Sequence, residues 1–147
     1  MCDQNLNICF DRTKLGIKVR LGWIWYMYDE IIVIISDLNY SVVHTSDCKI
    51  HYLDSPLKIF SEKLPLIFFK FRRSGIVNLA YMKSYFTEKN KLKIQLLNNN
   101  IYIVSRYLKK DFHLKINSLL TLSLPCEKCK LCTKRESCYD LKNFFCQ

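Results

Sequence analysis

Glycine, histidine and proline are scarce: there are only three of each in 147 residues. The three glycines, at positions 16, 22 and 75, cannot build a Gly-rich loop that cradles a nucleotide phosphate. His44, His51 and His113 are scattered; the first two can face each other across a turn, but they lack a third ligand for a metal. There is no G-x-S-x-G elbow, no placeable pair of carboxylates, and no cysteine with a histidine and an orienting group close in sequence. These absences argue against an enzyme. Long apolar runs are missing too: Asp29 and Glu30 interrupt the longest, so none reaches the roughly 18 residues needed to span a membrane. The first twelve residues hold Asp3 and Asp11 and no apolar segment of a secretory signal. A cytoplasmic location is expected, with the eight cysteines mostly reduced or metal-bound.

Acidic residues are the last shortage, 13 against 23 Lys and Arg, for a net charge of +10. The imbalance is local. Residues 1–65 carry seven cations and eight anions, residues 66–117 carry 11 and two, and residues 118–147 carry five and three. A basic surface kept for solubility would not segregate its charge this way, so the pattern favours a polyanionic partner. Half of the residues are hydrophobic, enough for a real core, and the length suggests one domain with tails.

Residues 1–13 read as a flexible leader, residues 14–117 as a folded domain and residues 118–147 as a basic, Cys-rich tail. Partial alternation over 14–27 predicts a strand or hairpin. Residues 30–54 predict three short strands, the first of them (31–35) continuously apolar and buried on both faces. The segment DSPLKIFSEKLP predicts a helix near 56–64, with Ser55 as N-cap, Pro56 in the first turn, Leu57, Phe60 and Leu64 as its apolar stripe, and Pro65 as its stop. Lys91 to Leu97, the Asn98-Asn99-Asn100 turn and Ile101 to Val104 predict a hairpin. Ser105 opens a C-terminal helix from about 106, with Leu108, Phe112, Ile116 and Leu119 at helical spacing. The fold class is mostly β: small antiparallel sheets of short strands with these two helices.

The most informative stretch is LIFFKFRRSGIVNL, residues 66–79. Strict alternation would point Phe69, Phe71 and Arg73 one way and Phe68, Lys70 and Arg72 the other. The pattern is strand, basic turn, strand. Arg72, Arg73 and Ser74 would offer forked donors and a hydroxyl to phosphates or to base edges in the major groove. The plain alternative is a hairpin with solvated arginines. At the second helix, Ser105, Arg106, Lys109 and Lys110 gather cations at a helix start, a natural seat for phosphate, or simply follow a cap.

FFKFRRSGIVNL, followed by IYIVSRYLKK, resembles the LytTR-type DNA-binding domain of bacterial transcription regulators over roughly residues 14–117. That family shows an apolar-Arg-x-His-Arg-Ser-x-Ile/Val-Val-Asn-Leu stretch and later an apolar-x-Val-Ser-Arg stretch. The resemblance implies a partner in double-stranded DNA and homodimers on repeated sites. It implies base contacts by Arg72, Arg73 and Arg106, phosphate contacts by Lys70, Ser74, Ser105, Lys109 and Lys110, and contacts by Asn39 and Tyr40, which otherwise read as a turn residue and a half-buried strand residue. Two departures fall where specificity is set: Arg72 stands in the His position, and Gly75 replaces a bulky residue and is expected to loosen the loop. Twelve leading residues leave no room for a receiver domain, so control by phosphotransfer on this chain is not expected.

In the tail, Cys126, Cys129, Cys132 and Cys138 have spacings that one zinc ion can gather tetrahedrally. The first three also match the start of an iron–sulfur run, but the fourth comes late and no proline follows it. A set of metal-free reduced thiols is the third reading. Two other functions stay open: a zinc-binding protein-interaction module with the Cys-rich tail, and RNA binding by stacking on Phe69, Phe71 and Tyr107.

Overall fold

A computed structural model describes the backbone of residues 2–3 and 7–123 and the side chains of residues 7–120. The chain divides into two compact units, residues 1–78 and 79–147.

The first unit holds two antiparallel sheets and a helix. Strands β1 (Cys2–Asp3), β2 (Ile8–Phe10), β3 (Lys14–Val19) and β4 (Gly22–Met27) form one sheet in that order. A 3-10 turn over Tyr28–Glu30 leads into β5 (Ile31–Asp37) and β6 (Tyr40–Thr45). Strand β7 (Ile50–Leu53), helix α1 (Leu57–Lys63), β8 (Phe68–Arg72) and β9 (Gly75–Asn78) complete the unit. The second sheet has the order β7-β6-β5-β9-β8. Ile8, Leu15 and Ile17 of the first sheet share one core with Ile31, Ile34, Val43 and Ile76 of the second and with Leu57 and Phe60 of α1. Val33 and Ile34, on opposite faces of β5, are both buried, which explains its unbroken apolar run.

The expected leader therefore supplies part of the sheet. Ile8 and Cys9 are buried, and β2 pairs with β3. Strand β2 buries apolar side chains that no solvated leader could hide. Cys9, opposite Cys2 in the register, is disulfide-bonded rather than a reduced thiol. Helix α1 also starts differently from expectation. Its N-cap is Pro56, and Ser55 is buried, its carbonyl accepting the Ser41 hydroxyl at 2.5 Å. Ser55 lies one residue before that cap, and its carbonyl satisfies a buried strand hydroxyl.

Asn78 is fully buried, and its amide donates to the carbonyls of Ile31 at 2.9 Å and Tyr28 at 3.3 Å. It closes the junction where the 3-10 turn becomes β5. At the far end of the second sheet, His51 lies opposite Val43 and His44 opposite Ile50, so the two histidines do not face each other. His51 instead meets the Tyr26 hydroxyl at 2.7 Å, beside Asp47, whose carboxylate accepts from Thr45.

The second unit begins with a 3-10 turn, Leu79–Tyr81, and forms the sheet β10 (Met82–Glu88), β11 (Lys91–Leu96), β12 (Ile101–Ile103). The β10–β11 turn has positive φ at both Lys89 (51°) and Asn90 (64°), which matches the twist of a tight hairpin. A 3-10 turn over Arg106–Leu108 runs into helix α2 (Lys109–Ser123). Phe112 is buried and meets Tyr85 edge-on, with ring centroids 5.0 Å apart. Among the described residues no helix is long and apolar enough to cross a membrane.

Candidate nucleic-acid interface

Two hairpin turns lie side by side at one end of the five-stranded sheet. Ile35 of β5 sits opposite Gly75 of β9, and the Ser36 amide donates to the Ser74 carbonyl at 2.8 Å. This fixes the β5–β6 turn, Leu38–Asn39, beside the β8–β9 turn, Arg73–Ser74. Asn39, Tyr40 and Arg73 are exposed, and Arg72 and Ser74 are half-buried. The structure thus gathers five of the expected contact residues at one sheet end. Lys70 is set back from the turn, where it lines a small cavity with Phe60, Ser61 and Leu64 of the α1 region.

Strict alternation fails in β8. Lys70 faces Ile76 and Arg72 faces Gly75, so Phe71 is an extra, bulged residue. Phe68, Phe69 and Phe71 are all buried. Stacking of bases on Phe69 or Phe71 is therefore ruled out; of the three aromatics considered for it, only Tyr107 is exposed, at 83%. The bulge turns the Phe71 ring over Gly75. A Cβ there would fall inside van der Waals contact of Phe71 Cζ and 2.8 Å from Cε1. Gly75 has no positive φ, so its role is room for a ring and not a loosened loop. The Arg72 guanidinium in turn lies 5.2 Å from the Phe71 ring centroid, a cation–π contact that holds its plane. Arg72 Nε is buried and has no hydrogen-bond partner among the described residues. A buried donor without a partner costs free energy, which an incoming acceptor would recover.

Sequence reasoning missed Leu38 in this face. It is exposed at the turn tip with a φ of 55°. Its only sequence signal was an apolar residue amid the turn composition of residues 36–39.

In the second unit, Ser105 precedes the 3-10 turn but makes no side-chain cap; its carbonyl accepts from the Leu108 amide at 2.9 Å. Arg106 and Lys110 are exposed. Lys109 is committed elsewhere: its Nζ donates to the Asn90 carbonyl at 2.5 Å, tying α2 to the β10–β11 turn. The ion pairs among the described residues are Lys49–Asp47, Lys58–Glu62 and Lys93–Glu88. None of them neutralises Arg72, Arg73, Arg106 or Lys110, which therefore keep their charge for an external anion.

No group of three or more His, Cys, Asp or Glu side chains that could hold a metal occurs among the described residues. Cys126, Cys129, Cys132 and Cys138 lie outside them.

The sequence model of the LytTr DNA-binding domain matches residues 22–117, which run from β4 into α2. A solved structure, the LytTr DNA-binding domain from a Bacillus cereus response regulator, superposes with a TM-score of 0.63 at 18% identity. The match covers 72% of this chain and 98% of that one. No curated protein matches the chain. The mostly β architecture and the basic turns thus meet a family match over most of the chain, and the protein belongs to the LytTr DNA-binding domain family.

Proposed function

We propose that the protein is a sequence-specific DNA-binding transcription regulator of the bacterial cytoplasm, working by binding and not by catalysis. The observation that carries this reading is the turn at Arg72–Arg73–Ser74. It is held by Phe71 and Gly75, carries two unneutralised arginines, and lies within the stretch that matches the DNA-binding family. In this reading Arg72, Arg73 and Arg106 reach base edges in major grooves. Ser74, Ser105 and Lys110 hold phosphates, and Asn39 and Tyr40 contact the duplex beside the arginine turn. Lys70 and Lys109 contribute charge from positions partly engaged in the fold. The domain binds repeated sites as a homodimer. A zinc-dependent role of the tail is a separate proposal, which metal analysis of the purified full chain decides.

A mobility-shift titration at two salt concentrations tests the electrostatic part. Several phosphate contacts release counterions, so affinity should fall steeply as salt rises. Salt-independent binding, or no binding to duplex DNA at either concentration, would overturn the reading.

A further inference from the structure

The chain holds two tryptophans, Trp23 and Trp25, and both stand on the outer face of β4. Ile24 and Tyr26 turn to the core, so this side of the sheet faces away from it. In the β3–β4 register Lys18 lies opposite Trp23, Gly16 opposite Trp25 and Lys14 opposite Met27. Trp23, Trp25 and Met27 remain 36%, 42% and 43% exposed. Three atoms of the six-membered ring of Trp25, Cη2, Cζ3 and Cε3, come 2.8, 2.8 and 3.1 Å from the place of a Cβ on Gly16. The ring therefore lies flat over a residue that has no side chain, and turns its other face outward. The Trp23 ring is tilted 26° from it, with centroids 6.2 Å apart. Lys14 Nζ lies 5.0 Å from the Trp25 centroid. Residues 12–28 carry four cations, Arg12, Lys14, Lys18 and Arg20, and no acidic residue. Arg12, Lys18 and Arg20 are exposed, and none of the four enters an ion pair among the described residues.

We propose that this face is a second nucleic-acid site, specific for single-stranded DNA. Bases stack on Trp23 and Trp25, and Lys14, Lys18, Arg12 and Arg20 hold the phosphates. An indole face accepts the face of any base, and cations beside it follow the backbone. Duplex DNA does not fit, because its base faces are hidden in the stack and its grooves offer only edges. The ring spacing makes the same choice. Successive stacked nucleotides of one strand rise about 3.4 Å, whereas the indole centroids are 6.2 Å apart. Neighbouring bases reach both rings only in a strand drawn out of its helical stack. Deoxyribose is favoured over ribose. The face is built from Trp, Met, Gly and Lys, so it offers no side-chain acceptor for a 2′-OH. The site is separate from the arginine turn, to which the proposed function gives duplex reading, so either can fail without the other.

Fluorescence titration of the full chain with a short deoxycytidine homo-oligomer, at low and moderate salt, tests the proposal. Both tryptophans of the chain are on this face, so intrinsic tryptophan emission reports this site. Stacking should quench it saturably, and affinity should fall as salt rises. With a dye-labelled oligomer read by anisotropy, Trp23→Leu and Trp25→Leu should each raise the dissociation constant about tenfold or more. Lys18→Glu should weaken binding as well. It leaves both rings in place, so it carries the test if circular dichroism shows a Trp variant unfolded. The ribo-oligomer of the same base should bind no tighter. Duplex binding should be unchanged in Trp23→Leu, and binding of the deoxycytidine oligomer unchanged in Arg73→Ala. Absence of quenching at low salt would overturn the proposal. So would an affinity indifferent to folded Trp23→Leu and Lys18→Glu, or tighter binding of the ribo-oligomer. A loss in Arg73→Ala equal to that in Trp23→Leu would also overturn it, by assigning single strands to the arginine turn.

Discussion

The ring of Phe71 occupies the space that a side chain on Gly75 would need. This contact sets the shape of the arginine turn, because the bulge that brings Phe71 over Gly75 also leaves the Arg72 guanidinium 5.2 Å from the centroid of the same ring. Gly75→Ala should therefore destabilise the fold by about 1–3 kcal/mol, as overpacking does, and should weaken DNA binding by displacing Arg72. Urea unfolding and a binding titration measure the two effects. Combining Gly75→Ala with Phe71→Leu, which shortens the clashing group, should recover part of the stability. An unchanged unfolding midpoint in the single variant would contradict this account.

The exposed arginines should separate from the exposed lysine. Arg73→Ala and Arg106→Ala should each cost about 1–3 kcal/mol on a specific site and relax preference at the bases they read, whereas Lys110→Ala should weaken all duplexes alike. Parallel titrations on specific and random duplex distinguish the cases. Equal losses on both for all three variants would remove the base-reading role.

Lys109 has a second, structural effect. Lys109→Ala breaks its bond to the Asn90 carbonyl, so it should lower stability by about 0.5–1.5 kcal/mol as well as lowering affinity for every sequence. Unfolding of the variant without DNA isolates the first effect.

Asn78 supports the fold rather than the duplex. Asn78→Ala leaves the buried carbonyls of Tyr28 and Ile31 without this donor and should cost about 1–3 kcal/mol per group left unsatisfied. Urea unfolding reads the loss. Its effect on binding should vanish wherever the variant is fully folded.

The fold should weaken as pH falls through 6.5. Burial lowers the pKa of both His44 and His51; for His51 the Asp47 carboxylate opposes the shift and Lys49 adds to it. The unfolded chain then takes up protons before the folded one does, so stability drops from about pH 6.5 down to the folded pKa values and levels off below them. Asp47 adds a second, lower window. The hydrogen bond from Thr45, more than any other contact, holds its carboxyl below 3.8, so its contribution is present above that pH and lost as acid protonates it. Unfolding curves at pH 7.5, 6.0 and 5.0 test the first window. His51→Gln should flatten the slope there, and a slope unchanged in both single His→Gln variants would contradict the assignment.

Much of this was readable from residue order. The continuous run at 31–35, the Asn turn at 98–100 and the alternation of Lys91 to Leu97 gave strands close to those observed, because burial on one face or two leaves a direct period in the sequence. The motif Arg72-Arg73-Ser74 gave the turn. What sequence could not supply were features created by pairing. The bulge at Phe71 exists only against β9, so alternation assigned the side chains of β8 wrongly. The tight seat at Gly75 read as flexibility because glycine signals either freedom or close approach until its neighbour is known. Strand β2 is only three residues long and gains its stability from β3, so it read as a leader. Ser55 had the residue type of a cap, but the helix starts one residue later than its type suggests, with Pro56 at the cap.

The most direct test of the central claim is selection from a randomised duplex library with the purified full chain, run in parallel with Arg73→Ala. The account predicts that the wild type enriches a defined sequence with a repeated element, and that the variant loses preference at particular positions within it while still retaining DNA. Recovery of no consensus by the wild type, or of the same consensus undiminished by the variant, would contradict sequence reading through the arginine turn.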